Sequence, residues 1–171
     1  PLQYQKDAVI QATRIIEKHN GIFISDVVGL GKTYICAMLA QELDRKKLVL
    51  CPPVLVEYWE NVMFSFGVRG VKVESIGKLD KIIEDGAEQY SYIFVDESHR
   101  FRNADTEQYK LLHQICVGKK VILISATPQN NYSTDIANQL YLFQSKNKST
   151  IVSARNLENF FDNLKRKINA F

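Results

Sequence analysis

Asp26-Val27-Val28-Gly29-Leu30-Gly31-Lys32-Thr33 is the stretch whose reading decides the fold of this chain. It follows the short apolar run Ile22-Phe23-Ile24 and opens a helix-like segment. A glycine-rich turn between strand and helix, closed by Lys-Thr, holds nucleotide phosphates in many proteins. Its glycines let backbone N–H groups approach the phosphate oxygens, and the helix points its positive end at the same charge. Lys32 has the reach for the terminal phosphates, and the Thr33 hydroxyl suits Mg²⁺. The strict pattern has Gly at its first position, where this chain has Asp26. Taken alone, the turn leaves both a phosphate site and a chance Gly-Lys-Thr turn open.

Four further apolar runs resemble the one before this turn: 48–51, 71–73, 92–95 and 121–124, alongside 22–24. None shows a sustained alternation of apolar with polar residues. Short continuous runs rich in Val and Ile suit strands buried on both faces, as in a parallel sheet. Helix-like segments separate them. Residues 4–18 place Ala8, Ala12 and Ile15 near one face, and 32–43 carry Ala37, Met38 and Leu39. Residues 54–66 carry Leu55, Trp59, Val62 and Phe66 at helical spacing, which reads Trp59 as core rather than as a base-stacking platform. Residues 106–117 and 134–143 follow the same logic. Alternating strand and helix predicts an α/β domain, a mainly parallel sheet with helices on both faces and ligands beyond the C-terminal strand ends.

A length of 171 residues with 46% hydrophobic content predicts one folded domain with a proper core and excludes disorder as the main state. The net charge of +3 permits a nucleic-acid partner without arguing for one. Cys36, Cys51 and Cys116 are far apart, odd in number and set in apolar surroundings. They read as buried free thiols in a reducing compartment, not as a disulfide framework or zinc site. No apolar run approaches the length that spans a membrane. The N-x-S matches at Asn131 and Asn147 carry no expectation of glycosylation, since no signal peptide is recognised. The start on Pro1 and the end on Phe171 read as a segment of a longer protein. Residues 144–150 are polar and flexible in composition. Beyond them Leu157, Phe160, Phe161, Leu164 and Ile168 mark one more amphipathic helix, with a solvated basic face at Lys165, Arg166 and Lys167.

Two more motifs carry chemistry. Tyr92-Ile93-Phe94-Val95 delivers Asp96-Glu97-Ser98-His99 to a strand end. Mg²⁺-dependent nucleotide hydrolysis needs an acidic pair at such a place, one carboxylate for the metal and the next to polarise the attacking water. The run 121–124 ends in Ser125-Ala126-Thr127-Pro128, which by itself reads equally as a turn.

Together these motifs resemble the superfamily-2 helicases, and within them the Swi/Snf-type DNA translocases. The resemblance runs from about Leu2 to Asn131. Gly29-Leu30-Gly31-Lys32-Thr33 matches the family's first motif, which often carries Asp where Asp26 stands. Residues 96–103, DESHRFRN, look like its DEAH box with a His-Arg-x-Lys-Asn extension, Arg102 replacing Lys. Residues 123–131, LISATPQNN, are similar to its third motif. In residues 48–59, Pro52, Leu55 and Trp59 match a Pro-x-x-Leu-x-x-x-Trp pattern, and residues 2–9 look like the opening motif whose Gln reads adenine. Two departures stand out. The family's Ib region is matched poorly by Val73-Glu74-Ser75-Ile76-Gly77-Lys78, and nothing in the chain resembles a second RecA-like lobe.

The resemblance implies a RecA-like N-terminal ATP-binding lobe over residues 1–144, extended by a polar linker and helix over 145–171. It implies ATP and Mg²⁺ as cofactors. Lys32, Asp96 and Glu97 would be catalytic, and Gln5, Gly29, Leu30, Gly31, Lys32 and Thr33 would bind nucleotide. Thr33 and Asp96 would hold the metal, and His99, Ser125 and Thr127 would couple the nucleotide state to nucleic acid. Backbone contacts to double-stranded DNA would come from Pro53, Val54, Ser75, Lys78, Arg100 and Arg102, because a motor that passes any sequence grips phosphates. The implied function is duplex-DNA translocation by the intact protein, with a second lobe of the same parent chain completing the ATPase and the isolated lobe nearly inactive. A strand-separating helicase of the same superfamily and a nucleotide-gated interaction module stand as alternatives. The compact motif spacing leans toward a bacterial, cytoplasmic protein; a eukaryotic one would be nuclear. No membrane partner is expected.

Overall fold

The computed structural model describes residues 2–25, 31–126 and 133–170. Each of the five apolar runs forms a strand: β1 (Gly21–Ser25), β2 (Lys47–Cys51), β3 (Val71–Ser75), β4 (Tyr92–Val95) and β5 (Lys120–Ser125). They make one sheet in the order β1-β5-β4-β2-β3, every pair parallel. Helices fill the connections: α1 (Gln3–His19), α2 (Lys32–Glu42), α3 (Val56–Ser65), α4 (Leu79–Glu84), α5 (Glu107–Cys116), α6 (Ser133–Leu140) and α7 (Leu157–Asn169). The fold is α/β, as the alternation of runs predicts.

Alternation along the strands builds two cores. Val49, Cys51, Phe94, Ile122 and Ile124 point to one face, where α1, α2 and α3 bury Ile16, Leu39 and Trp59. Leu48, Leu50, Ile93, Val95, Val121 and Leu123 point to the other, against Leu79 and Ile82 of α4 and Leu112 and Ile115 of α5. Both faces of the central strands are covered, so β2, β4 and β5 need no polar side, and this is why they read as apolar runs. β3, at the sheet edge, alternates with Lys72 and Glu74. At Gly21 the first strand passes so close to its neighbours that a Cβ would lie 2.4 Å from Phe143 and 2.6 Å from the Val121 carbonyl oxygen.

Four details depart from the sequence reading. In α1 the inward residues are Val9, Ala12 and Ile16, while Ile15 is exposed; the helix is apolar on several sides, and packing on β1 and α2 selects the face. In α7 Leu157 and Phe161 are buried against α6, whereas Phe160, Leu164 and Ile168 are exposed. Residues 144–150 are more than a flexible tether. The buried Gln144 accepts from the Thr150 N–H at 2.9 Å and the Ser149 hydroxyl at 3.1 Å, and donates to Thr150 Oγ1 at 2.9 Å. Finally, α4 has six residues and too little periodicity to be seen in the sequence.

Candidate nucleotide site

The strand order sorts the motifs in space. β1, β5 and β4 are adjacent, so their last residues, Ser25, Ser125 and Val95, lie at the same edge of the sheet. In register, Ser25 stands beside Ser125, and Val95 beside Leu123. Such an edge, beyond the carboxyl ends of parallel strands, is where α/β sheets bind ligands.

Gly31 begins α2 with φ 80° and ψ 37°, a left-handed conformation that a side chain would strain. Lys32 and Thr33 form the first turn of α2, both half-buried. The first N–H groups of a helix lack intrahelical partners, which makes this end suited to an anion. Gln5 of α1 is buried next to it: a Cβ on Gly31 would meet Gln5 Nε2 at 3.4 Å. The other end of the Gln5 amide, Oε1, accepts from the Leu2 N–H at 3.0 Å. A cavity of about 220 Å³ opens beside it, lined by Gln5, Tyr34, Met38 and Phe66. Tyr34 and Phe66 form a tilted ring pair with centroids 5.7 Å apart. Asp26, Gly29, Leu30, Thr127 and Asn131 lie outside the described residues.

After β4 the chain turns sharply. The Asp96 N–H donates to the Leu50 carbonyl of β2 at 2.8 Å, which extends the ladder by one bond. Glu97 adopts φ 54° and ψ 43°. A non-glycine residue there is strained by about 1–3 kcal/mol, a cost that the surrounding structure must hold in place and that clusters at functional sites. The turn sends the Asp96 and Glu97 carboxyl groups to different partners. Asp96 Oδ1 accepts from the Glu97 N–H at 2.8 Å, and Asp96 Oδ2 accepts from the Trp59 indole N–H at 2.9 Å. Glu97 Oε2 lies 3.3 Å from His99 Nε2. The other imidazole nitrogen, Nδ1, lies 3.2 Å from Ser125 Oγ at the end of β5. One imidazole therefore spans the acidic pair and the neighbouring strand end.

Electrostatics agree with this clustering. The Cys36 thiol of α2 is raised far above its usual range, first by burial and then by the Asp96 charge, with Lys32 pulling the other way. Cys51 is pushed up to about 12 by burial, with Asp96, Glu60 and Glu74 adding to it. Asp96 and Lys32 thus act on one buried thiol from opposite signs. All three cysteines are buried and free.

The residues weighed for nucleic acid lie after β2, at the end of β3 and on the turn after Glu97. Pro53 and Val54 are exposed in a 3₁₀ turn after β2. Ser75 ends β3, but it is buried and its hydroxyl accepts from the Gly77 N–H at 3.1 Å, capping the turn Ile76–Lys78. Lys78 is exposed and pairs with Glu74 at 3.5 Å. Arg100 and Arg102 are exposed on the turn after Glu97. Sequence reasoning missed two side chains here, the polar end of Trp59 and the amide of Gln139. The first had a signal, because a buried Trp needs an acceptor for its N–H. The second had none: Gln139 meets Ser98 only through the packing of α6 on the turn.

No family model matches the chain. It is 29% identical, over 96% of its length, to L364 of Acanthamoeba polyphaga mimivirus, a protein named as an ATP-dependent RNA helicase. It is 26% identical over 84% of its length to the ATP-dependent helicase YqhH of Bacillus subtilis. It is 25% identical over 75% to the TATA-binding protein-associated factor MOT1 of Saccharomyces cerevisiae. The chain spans 36% and 29% of the length of the first two relatives. Its fold is that of the Sulfolobus solfataricus SWI2/SNF2 ATPase core solved with double-stranded DNA, with a TM-score of 0.74 over 99% of this chain and 43% of the other, at 19% identity. In fold and motif order the chain is similar to a RecA-like lobe of the superfamily-2 helicases. The likeness to the SWI2/SNF2 core is one of fold.

Proposed function

We propose that this chain is the ATP-binding lobe of an ATP-dependent double-stranded DNA translocase, hydrolysing ATP only together with a second RecA-like lobe of its parent protein. The observation that carries the reading is the His99 bridge between Glu97 and Ser125 at the end of β5. It joins the group that would activate water to the segment that would report on nucleic acid.

The residues divide the work by position. Backbone N–H groups at the start of α2 and the Lys32 ammonium bind and orient the phosphates. The cavity beside Gln5 and Tyr34 receives the base. Glu97, strained into place, holds and polarises the attacking water, and His99 fixes its orientation. Thr33 and Asp96 fit a Mg²⁺ ion. Each Asp96 oxygen accepts one hydrogen bond from the protein, and a carboxylate has about four lone-pair sites. Among the described residues no group of three or more His, Cys, Asp or Glu could hold a metal. Mg²⁺ takes one or two protein ligands and completes its shell with phosphates and water. When bound, the ion would neutralise charge on the transferring phosphoryl group. The exposed Arg100, Arg102, Lys78 and the 3₁₀ turn at Pro53 and Val54 offer a basic, sequence-blind grip on a phosphate backbone. The solved core with duplex DNA supports this partner over others. An arginine finger supplied by a second lobe is worth about 10³–10⁵ in rate, so the chain alone should hydrolyse ATP poorly.

The test is the ATPase rate of the full-length parent, alone and with duplex DNA, single-stranded DNA or RNA, using Lys32→Ala and Glu97→Gln as controls. Strong stimulation by duplex DNA, abolished in both variants, supports the translocase. The names of L364 and YqhH favour a second reading, a strand-separating helicase. Unwinding of a tailed duplex by the parent would establish it instead. A rate indifferent to every nucleic acid would move the function to a nucleotide-gated module.

A further inference from the structure

Trp59 of α3 is 1% exposed, and its ring lies in the core layer that also holds Cys36 and Cys51. A buried indole needs an acceptor for its single N–H. Most side-chain hydrogen bonds end on backbone or water. This one ends on the carboxylate of Asp96, at 2.9 Å, from a residue 37 positions away in the chain.

The consequence for Asp96 is large. Its backbone is tied to β2 through the Leu50 carbonyl, its Oδ1 to the Glu97 N–H and its Oδ2 to the indole. Two hydrogen bonds to two different oxygens set the plane of the carboxylate, and each oxygen retains a lone pair. The layer below is built of thiols and an aromatic ring, where a hydrogen bond to a charged group is stronger than in water. The Pro52 bend and the turn at Pro53–Leu55 place α3 directly after β2, so the strand that holds the Asp96 backbone also launches the helix that holds its side chain.

We propose that Trp59 is a positioning residue of the nucleotide site: its indole N–H sets the orientation in which Asp96 presents its remaining lone pairs to the cation of Mg·ATP. The inference rests on the nucleotide reading given above and adds a residue to it. Partners of metal-binding side chains elsewhere change metal affinity about 10–100-fold when removed.

The experiment compares Trp59→Phe with the parent protein, which keeps an aromatic ring in the layer and removes the N–H. Binding is measured by titration calorimetry with Mg·ATP and with ATP in excess EDTA. The expected result is an affinity for Mg·ATP about 10-fold weaker, with metal-free ATP binding unchanged. If both forms of the nucleotide weaken alike, Trp59 is packing alone, and if neither changes, the hydrogen bond is idle; either result overturns the proposal. Benzothienylalanine introduced at position 59 by amber suppression has the indole shape without the N–H, and decides the matter should Trp59→Phe fold poorly. A parent that binds no Mg·ATP removes the nucleotide reading and this inference together. A parent that binds it equally well with and without the N–H removes this inference alone.

Discussion

The Ser98 hydroxyl donates to Gln139 Oε1 at 3.0 Å, and both side chains are withdrawn from solvent, at 0% and 1% exposure. The pair ties the residue between Glu97 and His99 to α6, the helix that follows the Ser125 strand end. A second tie runs beside it, from Asn138 Nδ2 to the Arg102 carbonyl at 2.9 Å. The turn that carries the acidic pair is therefore held from the far side by the element after β5.

Removing one partner of that pair should cost more than removing both. Ser98→Ala removes a buried hydrogen bond to the Gln139 oxygen, a loss that costs about 0.5–1.5 kcal/mol. Gln139→Leu should cost a similar amount by the same route. The double variant should lie nearer the parent than the sum of the two, which urea unfolding of all four proteins measures. Strict additivity would show that the bond contributes nothing.

Glu97→Gln should separate binding from turnover in the parent protein. The amide keeps the shape of the side chain and loses its basicity, so kcat should fall by about 10²–10⁴ while ATP affinity is retained. His99→Ala should act more mildly on kcat and reduce the response to duplex DNA, because it removes the bridge to Ser125. Steady-state ATPase with and without duplex DNA tests both. A Glu97→Gln protein of parental rate would take Glu97 out of the chemistry.

Gly21→Ala should destabilise the fold. The new methyl would meet the Val121 carbonyl oxygen at 2.6 Å as well as the Phe143 ring. The ring has some freedom to move, but the paired backbone does not, and overpacking of this kind costs about 1–3 kcal/mol. A fall of several degrees in melting temperature is expected. Phe143→Leu in the same background should recover little of it, since the backbone clash remains.

Alkaline pH should loosen the protein through its thiols. Burial pushes Cys51 and Cys116 from 9.0 up to about 12. Between those values the unfolded chain sheds protons that the folded chain keeps, so the stability present below about pH 9 is lost as pH rises toward 12. Burial raises the Tyr90, Tyr109 and Tyr141 phenols in the same direction. The lowered Lys47 and Lys119 ammonium groups work oppositely. Melting temperatures from pH 7 to 11 should therefore fall less steeply in Cys51→Ala and Cys116→Ala, whatever their starting stability. Equal slopes in parent and variants would exclude the thiols as the cause.

The amino-acid sequence by itself determined the strands and the chemistry at their ends. A strand buried on both faces is mostly apolar, so the runs ending at Cys51, Val95 and Ile124 are visible without any partner. The Gly-Lys-Thr turn and the Asp-Glu pair are likewise local, because each is a few neighbouring residues whose types the chemistry dictates. Only the tertiary structure decided what depends on residues far apart. The order β1-β5-β4 brings Ser125 beside the acidic turn, although 28 residues separate it from Glu97. The exposure of Ile15 and Ile168 was set by which neighbours α1 and α7 found, since amphipathic periodicity fixes a stripe but not what covers it. The bonds from Trp59 to Asp96 and from Ser98 to Gln139 belong to the same kind. A hydrogen bond between distant side chains leaves no periodicity in the sequence; it exists once packing has removed water and brought the two groups together.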